Sequence, residues 1–250
     1  SAWSMHTAIY LLTSGHRAHA AYPEFLQDGE YAVGFAWLEP GPARPSPKSH
    51  GNRLMRSALI NARILLGSEF HAGLALVIDS GLISAIIAED DPLIAGMDTH
   101  DCMGQTLLPG FIDIQVNGGG GVLFNDSTNV EGIRAIAAAH RKYGTTGFLP
   151  TLISDDIDVV AHALKAVDDA IHAGLPGILG VHIEGPHLSA ERKGTHDENK
   201  FRTLNDADVE LLTSLRNGKT LVTLAPERNS ISHIRKLVNA GVIVSAGHTN

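Results

Sequence analysis

A glutamate and a histidine, each delivered by a short apolar run, are the residues of this chain best placed to act together. Ile178 to Val181 reads as a buried strand that carries His182 and Glu184, and Gly185-Pro186 ends it because proline cannot donate to a ladder. Val242 to Ala246 is a second such run, and it ends at Gly247-His248. A carboxylate at the mouth of a buried strand needs a partner to offset its desolvation, and a metal ion or a nearby Arg or Lys would each serve. Glutamate oxygen with imidazole nitrogen suits zinc or another divalent first-row ion, for which three protein ligands and a water are usual. His182 lies two residues before Glu184 and points to the same side; one layer deeper, it reads as near the site rather than as a ligand. His187 and His196 fall in the polar loop that follows, and His187 reads as solvated surface.

The elements that must hold these residues are legible from Leu107 onward. Leu107 to Ile114 leads into a strand ending at Gln115-Val116-Asn117, and helices are expected over about 130–143, 155–173, 206–216 and 230–239. Ser154 or Asp155 is the expected cap of the second helix. Gly147 to Leu152, Ile178 to Glu184, Leu221 to Glu227 and Val242 to His248 are the strands between and after them. Alternating apolar strands and amphipathic helices mean a parallel sheet covered by helices. Gln115, Asn117, Glu184 and His248 each sit at the C-terminal end of a different strand, which favours a (β/α)8 barrel over an open sheet with its site at one switch point. Gly118 to Gly121 lacks the lysine of a phosphate loop and reads as a flexible loop near the site.

Upstream, 58–106 reads as short strands, with a hairpin turn at Asp79-Ser80-Gly81. This is a small β module, too small to be a complete sandwich by itself. Residues 1–54 carry a polyproline composition at Pro40 to Pro47 and no sustained period. The expectation is that they are a disordered or non-native extension and that Met55 is the natural start, so the division is 1–54, 55–107 and 108–250.

The chain of 250 residues is 44% hydrophobic with a formal charge of −8. That balance provides no basic stripe for a nucleic-acid partner. Its single cysteine, Cys102, rules out an intrachain disulfide, and no apolar run reaches the length of a membrane span, so a cytoplasmic location is expected. The 14 histidines are expected to be mostly solvated.

Leu108-Pro109-Gly110-Phe111-Ile112-Asp113 with Gln115-x-Asn117-Gly118 resembles the first barrel strand of the amidohydrolase superfamily. Four further stretches resemble its N-acetylglucosamine-6-phosphate deacetylase family. They are Gly144 to Thr151, His182 to His187, Lys193 to His196, and Leu224 to Glu227 with Ser245 to Thr249. The resemblance covers about Met55 to Asn250. It implies Glu184 and His248 as metal ligands, Thr195 and His196 as substrate contacts, and Gln115, Asn117 and His182 near the site. Where many amidohydrolases carry His-x-His, this chain has the neutral amides of Gln115 and Asn117, implying one catalytic ion: zinc, with iron, manganese or cobalt as alternatives. It further implies hydrolysis of the acetamide of an amino-sugar phosphate, a homodimer, and no membrane partner.

The family's second metal histidine and its catalytic aspartate match no residue here and would lie beyond Asn250. Five βα units cannot close an eight-stranded barrel, so the sequence reads as the first part of such a barrel, inactive alone. Two competing readings are another amidohydrolase, acting on a cyclic amide or a purine, and a non-catalytic truncated relative.

Overall fold

The computed structural model describes 56–79 and 81–250 in full, and before them only the strands β1 (Ile9–Leu12), β2 (His19–Ala21) and β3 (Phe35–Trp37). Apart from these three strands, the expectation for 1–54 lies outside the described residues, as does Ser80 of the hairpin turn. The chain divides into two compact units, Ser1–Phe111 with Arg141–Thr146, and Ile112–His140 with Gly147–Asn250.

The first unit is built on one sheet. Its strands are longer than the composition suggested. β4 (Ser57–Leu66) and β5 (Glu69–Asp79) form an antiparallel hairpin, and β6 (Leu82–Ala88) folds back on β5. β7 (Asp98–Asp101) and β8 (Thr106–Pro109) both run parallel to β4, and β1 pairs antiparallel with β8. Leu59, Ile64, Leu76, Ile78, Cys102 and Leu107 form its core.

The second unit carries every candidate site residue. β9 (Phe111–Val116) leads into a small hairpin of β10 (Gly118–Gly119) and β11 (Val122–Leu123), so the glycine run is a paired turn rather than a loose loop. A Cβ at Gly118 would lie 2.3 Å from the Val122 carbonyl oxygen, and one at Gly119 would lie 2.9 Å from the His140 ring, which explains the choice of glycine. Then α1 (Val130–Arg141), β12 (Thr145–Ile153), α2 (Ile157–His172), β13 (Gly180–Glu184), α3 (Asp206–Leu212), β14 (Lys219–Leu224), α4 (Ile231–Asn239) and β15 (Ile243–Ala246) alternate.

The sheet order is β9-β12-β13-β14-β15, and β12 to β15 pair in parallel. Sequence neighbours are sheet neighbours throughout, with no reversal of strand order. That is the winding of a (β/α) barrel, of which five strands are present, and not of a doubly wound sheet. Strand residues alternate between two faces. Phe148, Leu152, Val181, Ile183, Val222 and Leu224 pack in one core with the helix residues Ile136, Leu164, Val167, Leu212 and Leu237. The opposite face carries Thr151, His182, Glu184 and Thr223, with Thr151 in register with His182 and Glu184 in register with Thr223. Among the described residues, no helix is long and apolar enough to cross a membrane.

Two local expectations change. The cap of α2 is Asp156, not Ser154 or Asp155, and it makes no side-chain capping bond. α3 stops at Leu212, where the Thr213 hydroxyl turns back to the Val209 and Glu210 carbonyls.

Candidate metal centre

Glu184 is the last residue of β13, and three side chains from three other segments converge on it. Gln115 on β9 donates from Nε2 to Oε2 at 3.0 Å. His248, just past β15, places Nε2 3.0 Å from Oε1. His196, in the loop after β13, places Nε2 3.8 Å from the same oxygen. The two imidazoles lie edge to face, with ring centroids 4.6 Å apart. Glu184, His196 and His248 offer ligand atoms that all lie within 4.8 Å of one another. First His196 and then His248 hold the Glu184 carboxyl down to about 2, against the burial that alone would raise it. Of the two imidazoles, His248 makes the shorter contact.

The surroundings decide what each ring nitrogen can do. Nδ1 of His248 faces the Arg192 carbonyl oxygen at 2.9 Å and must donate to it. In the neutral ring, Nε2 is then an acceptor, facing a second acceptor, Glu184 Oε1, at 3.0 Å. Two acceptors that close are held together by a shared proton or a shared cation. The donor set, one carboxylate oxygen and one imidazole nitrogen, fits zinc or a similar first-row ion. Nδ1 of His196 instead accepts the Ser154 backbone N–H at 3.2 Å, so its proton sits on Nε2 and faces the site.

His248 has a φ of 52°, an unusual value for a side-chain-bearing residue. Its carbonyl accepts the Ser189 N–H at 3.1 Å, and Glu227 accepts from the Thr249 hydroxyl and, at 3.1 Å, from the Asn250 N–H. Loops after β13 and β14 thus hold the strained turn from both sides.

His182 is fully engaged. Nδ1 lies 3.1 Å from the Ile114 carbonyl and Nε2 2.8 Å from Thr223 Oγ1, so it ties β9 to β14 beneath Glu184. Burial pushes its pKa below the ordinary imidazole value. Among the described residues, neither Thr195, which is exposed, nor the Asn117 side chain hydrogen-bonds to the cluster; Asn117 receives the Phe124 N–H on its carbonyl.

His187 overturns the expectation of a solvated residue, since its side chain is wholly buried. Its Nε2 lies 3.3 Å from Asp208 Oδ2, and Arg202 pairs with the other carboxylate oxygen at 3.0 Å. Its carbonyl accepts from the Ala225 N–H and the Asn229 side chain, stitching the loops after β13 and β14 together. His196 is likewise buried. Sequence reasoning placed Ser154 only as a helix cap and Glu227 only within the resembling stretch Leu224 to Glu227, and it did not find Arg192.

The model of the amidohydrolase family matches residues 106–250. Over 193 residues the chain is 40% identical to an N-acetylgalactosamine-6-phosphate deacetylase of Shewanella sp. (strain ANA-3), covering 76% of this chain and 48% of that protein. It is 37% identical to an N-acetylglucosamine-6-phosphate deacetylase of Haemophilus influenzae, covering 78% of this chain and 51% of that protein. The crystal structure of the Pasteurella multocida N-acetylglucosamine-6-phosphate deacetylase superposes with a TM-score of 0.73 at 36% identity, covering 78% of this chain and 51% of that one. A Mycobacterium smegmatis deacetylase in complex with N-acetyl-D-glucosamine-6-phosphate gives a TM-score of 0.68 at 31% identity, covering 78% and 50%. The chain spans about half the length of the curated relatives it matches.

Proposed function

This chain belongs to the amidohydrolase family of hydrolytic enzymes, and we propose that its cluster at Glu184 is the metal-holding part of a site that removes the acetyl group from an N-acetylhexosamine 6-phosphate. The observation that carries this reading is the facing pair of acceptors, Glu184 Oε1 and His248 Nε2, 3.0 Å apart.

Glu184 and His248 would hold one divalent ion, zinc first among the candidates. Bound there, such an ion supplies a water nucleophile at neutral pH and polarises the amide carbonyl. Gln115 occupies the second carboxylate oxygen and leaves Oε1 free to face the ion. His196 points Nε2–H into the site, where it serves as a donor to the amide oxygen as negative charge develops on it. Donors of that kind contribute roughly 10²–10³ in kcat. Thr195, beside it, is assigned to the sugar. The leaving amine must take up a proton before it departs. Among the described residues no carboxylic acid other than Glu184 stands in the cluster, and no residue of this chain is assigned that role.

The relatives support the substrate class, since they are deacetylases of N-acetylglucosamine-6-phosphate and N-acetylgalactosamine-6-phosphate. Glucosamine-6-phosphate and acetate are the products in the first reading. The galactosamine epimer is the second, favoured by the Shewanella relative at 40% identity. A β-sandwich of which 55–107 is the N-terminal part, a homodimer of the full-length protein and a cytoplasmic location belong to the same proposal.

The test is to load the chain with zinc and follow, by NMR, binding of each sugar phosphate and release of acetate. Binding of either epimer that is lost on chelation supports the reading. Hydrolysis of a cyclic amide or a purine, with neither sugar phosphate bound, overturns it. Acetate release by the 250-residue chain itself would overturn the narrower expectation that it is inactive alone.

A further inference from the structure

We propose that Ser154 is a positioning residue that fixes which nitrogen of His196 carries the proton, and so sets the different roles of the two imidazoles around Glu184. Two groups of Ser154 converge on one atom. Its backbone N–H lies 3.2 Å from His196 Nδ1 and its hydroxyl oxygen lies 2.7 Å from the same nitrogen. A backbone N–H can only donate, so Nδ1 must accept. With the N–H fixing the nitrogen as an acceptor, the hydroxyl donates as well. The neutral ring therefore holds its proton on Nε2, the nitrogen that faces Glu184.

The arrangement is built into the fold. Ser154 directly follows β12, and its position is set by Asn125, which accepts the Ile153 N–H at 3.1 Å and donates to the Ile153 carbonyl and to Asp155. Because Asp156 caps α2, the Ser154 hydroxyl is free of capping. The space it occupies is made by Gly185: a Cβ there would lie 2.2 Å from the Ser154 hydroxyl oxygen. Gly185 also has a φ of +85°, so the glycine after Glu184 answers two needs at once. The His196 ring lies beside those of Phe201 and His248, with centroids 6.4 and 4.6 Å apart.

The consequence is an opposition of tautomers. His248 is held with its proton on Nδ1 by the Arg192 carbonyl, and His196 with its proton on Nε2 by Ser154. One ring offers the site a lone pair and the other a proton. His196 is thereby excluded as a neutral ligand, although it lies within reach of a shared cation. Only this last consequence rests on the proposed metal-dependent function; the tautomer itself does not.

The test is nitrogen-15 NMR of the histidine-labelled chain above the imidazole titration range, with His196 assigned by its loss in His196→Gln. A pyridine-type Nδ1 and a pyrrole-type Nε2 are expected for His196. Ser154→Ala keeps the backbone donor, and because a hydroxyl can serve either tautomer as donor or acceptor, the proton should stay on Nε2 in that variant. Circular dichroism of the same variant checks that it folds. In parallel, the visible spectrum of the cobalt-loaded chain should be the same with and without His196→Gln. A proton on Nδ1 of His196, in the unmodified chain or in folded Ser154→Ala, overturns the proposal. If the tautomers are as expected but no sugar phosphate binds, Ser154 keeps its role and the functional reading fails.

Discussion

Nε2 of His248 stands 3.0 Å from Oε1 of Glu184 while its Nδ1 is committed to the Arg192 carbonyl at 2.9 Å. Loss of an outer partner of a metal ligand costs about 10–100-fold in affinity, and loss of a ligand costs more. Glu184→Gln and His248→Asn should therefore each weaken zinc binding by over ~100-fold, read by equilibrium dialysis with metal analysis. Unchanged affinity in either variant would remove the metal reading.

Gln115 should behave as an outer partner. Its amide holds Glu184 Oε2 at 3.0 Å but is a poor ligand itself. Gln115→Leu should lower zinc affinity by about tenfold without changing the stoichiometry of one ion per chain. Two ions per chain by titration calorimetry would contradict the role given to the neutral amides at 115 and 117.

The reach of the sequence is clear from these residues. Glu184 and His248 could be found because an apolar run fixes where a strand ends, and strand ends are where a barrel builds its site. His187 could not. Its burial depends on Asp208, 21 residues away, and on Arg202, and nothing in Gly185-Pro186-His187 separates a buried imidazole from a surface one. Ser154, Asp155 and Asp156 are three successive helix-capping types, so local preference could not choose among them. In the fold the Ser154 hydroxyl is engaged by His196, and Asp155 by Asn125. The early end of α3 was equally hidden. Gly218, beyond it, makes room for Ile171 and the Leu179 carbonyl, each within 2.8 Å of where a Cβ would lie.

Acid should destabilise the fold through His187. Burial, opposed by Asp208, lowers its pKa from the ordinary imidazole value, and Arg202 lowers it further. The unfolded chain takes up a proton near 6.5 while the folded chain does not, so stability is full above about 6.5 and falls as pH drops toward the lower folded value. Urea unfolding across about pH 5 to 8 should show this slope. His187→Phe should reduce it by up to about 1.4 kcal/mol per pH unit. An unchanged slope would mean that His187 takes up its proton alike in the folded and unfolded chain.

The start of β13 should tolerate no side chain. Gly180 has a φ of +148°, and a Cβ there would lie 1.9 Å from the Lys219 carbonyl oxygen on the paired strand. Gly180→Ala should cost more than about 4 kcal/mol, seen as a large fall in melting temperature. A melting temperature within a few degrees of the unmodified chain would show that β13 and β14 can shift apart.

The left-handed turn at His248 restricts what evolution or a designer can put there. Asparagine, aspartate and histidine enter that region of backbone space far more readily than other side chains. Cysteine or glutamate could bind the same ion, but each would first have to bear the torsional cost of the turn. At this position the main chain screens replacements before coordination chemistry does, so a selection for altered metal preference should find its answers at other positions.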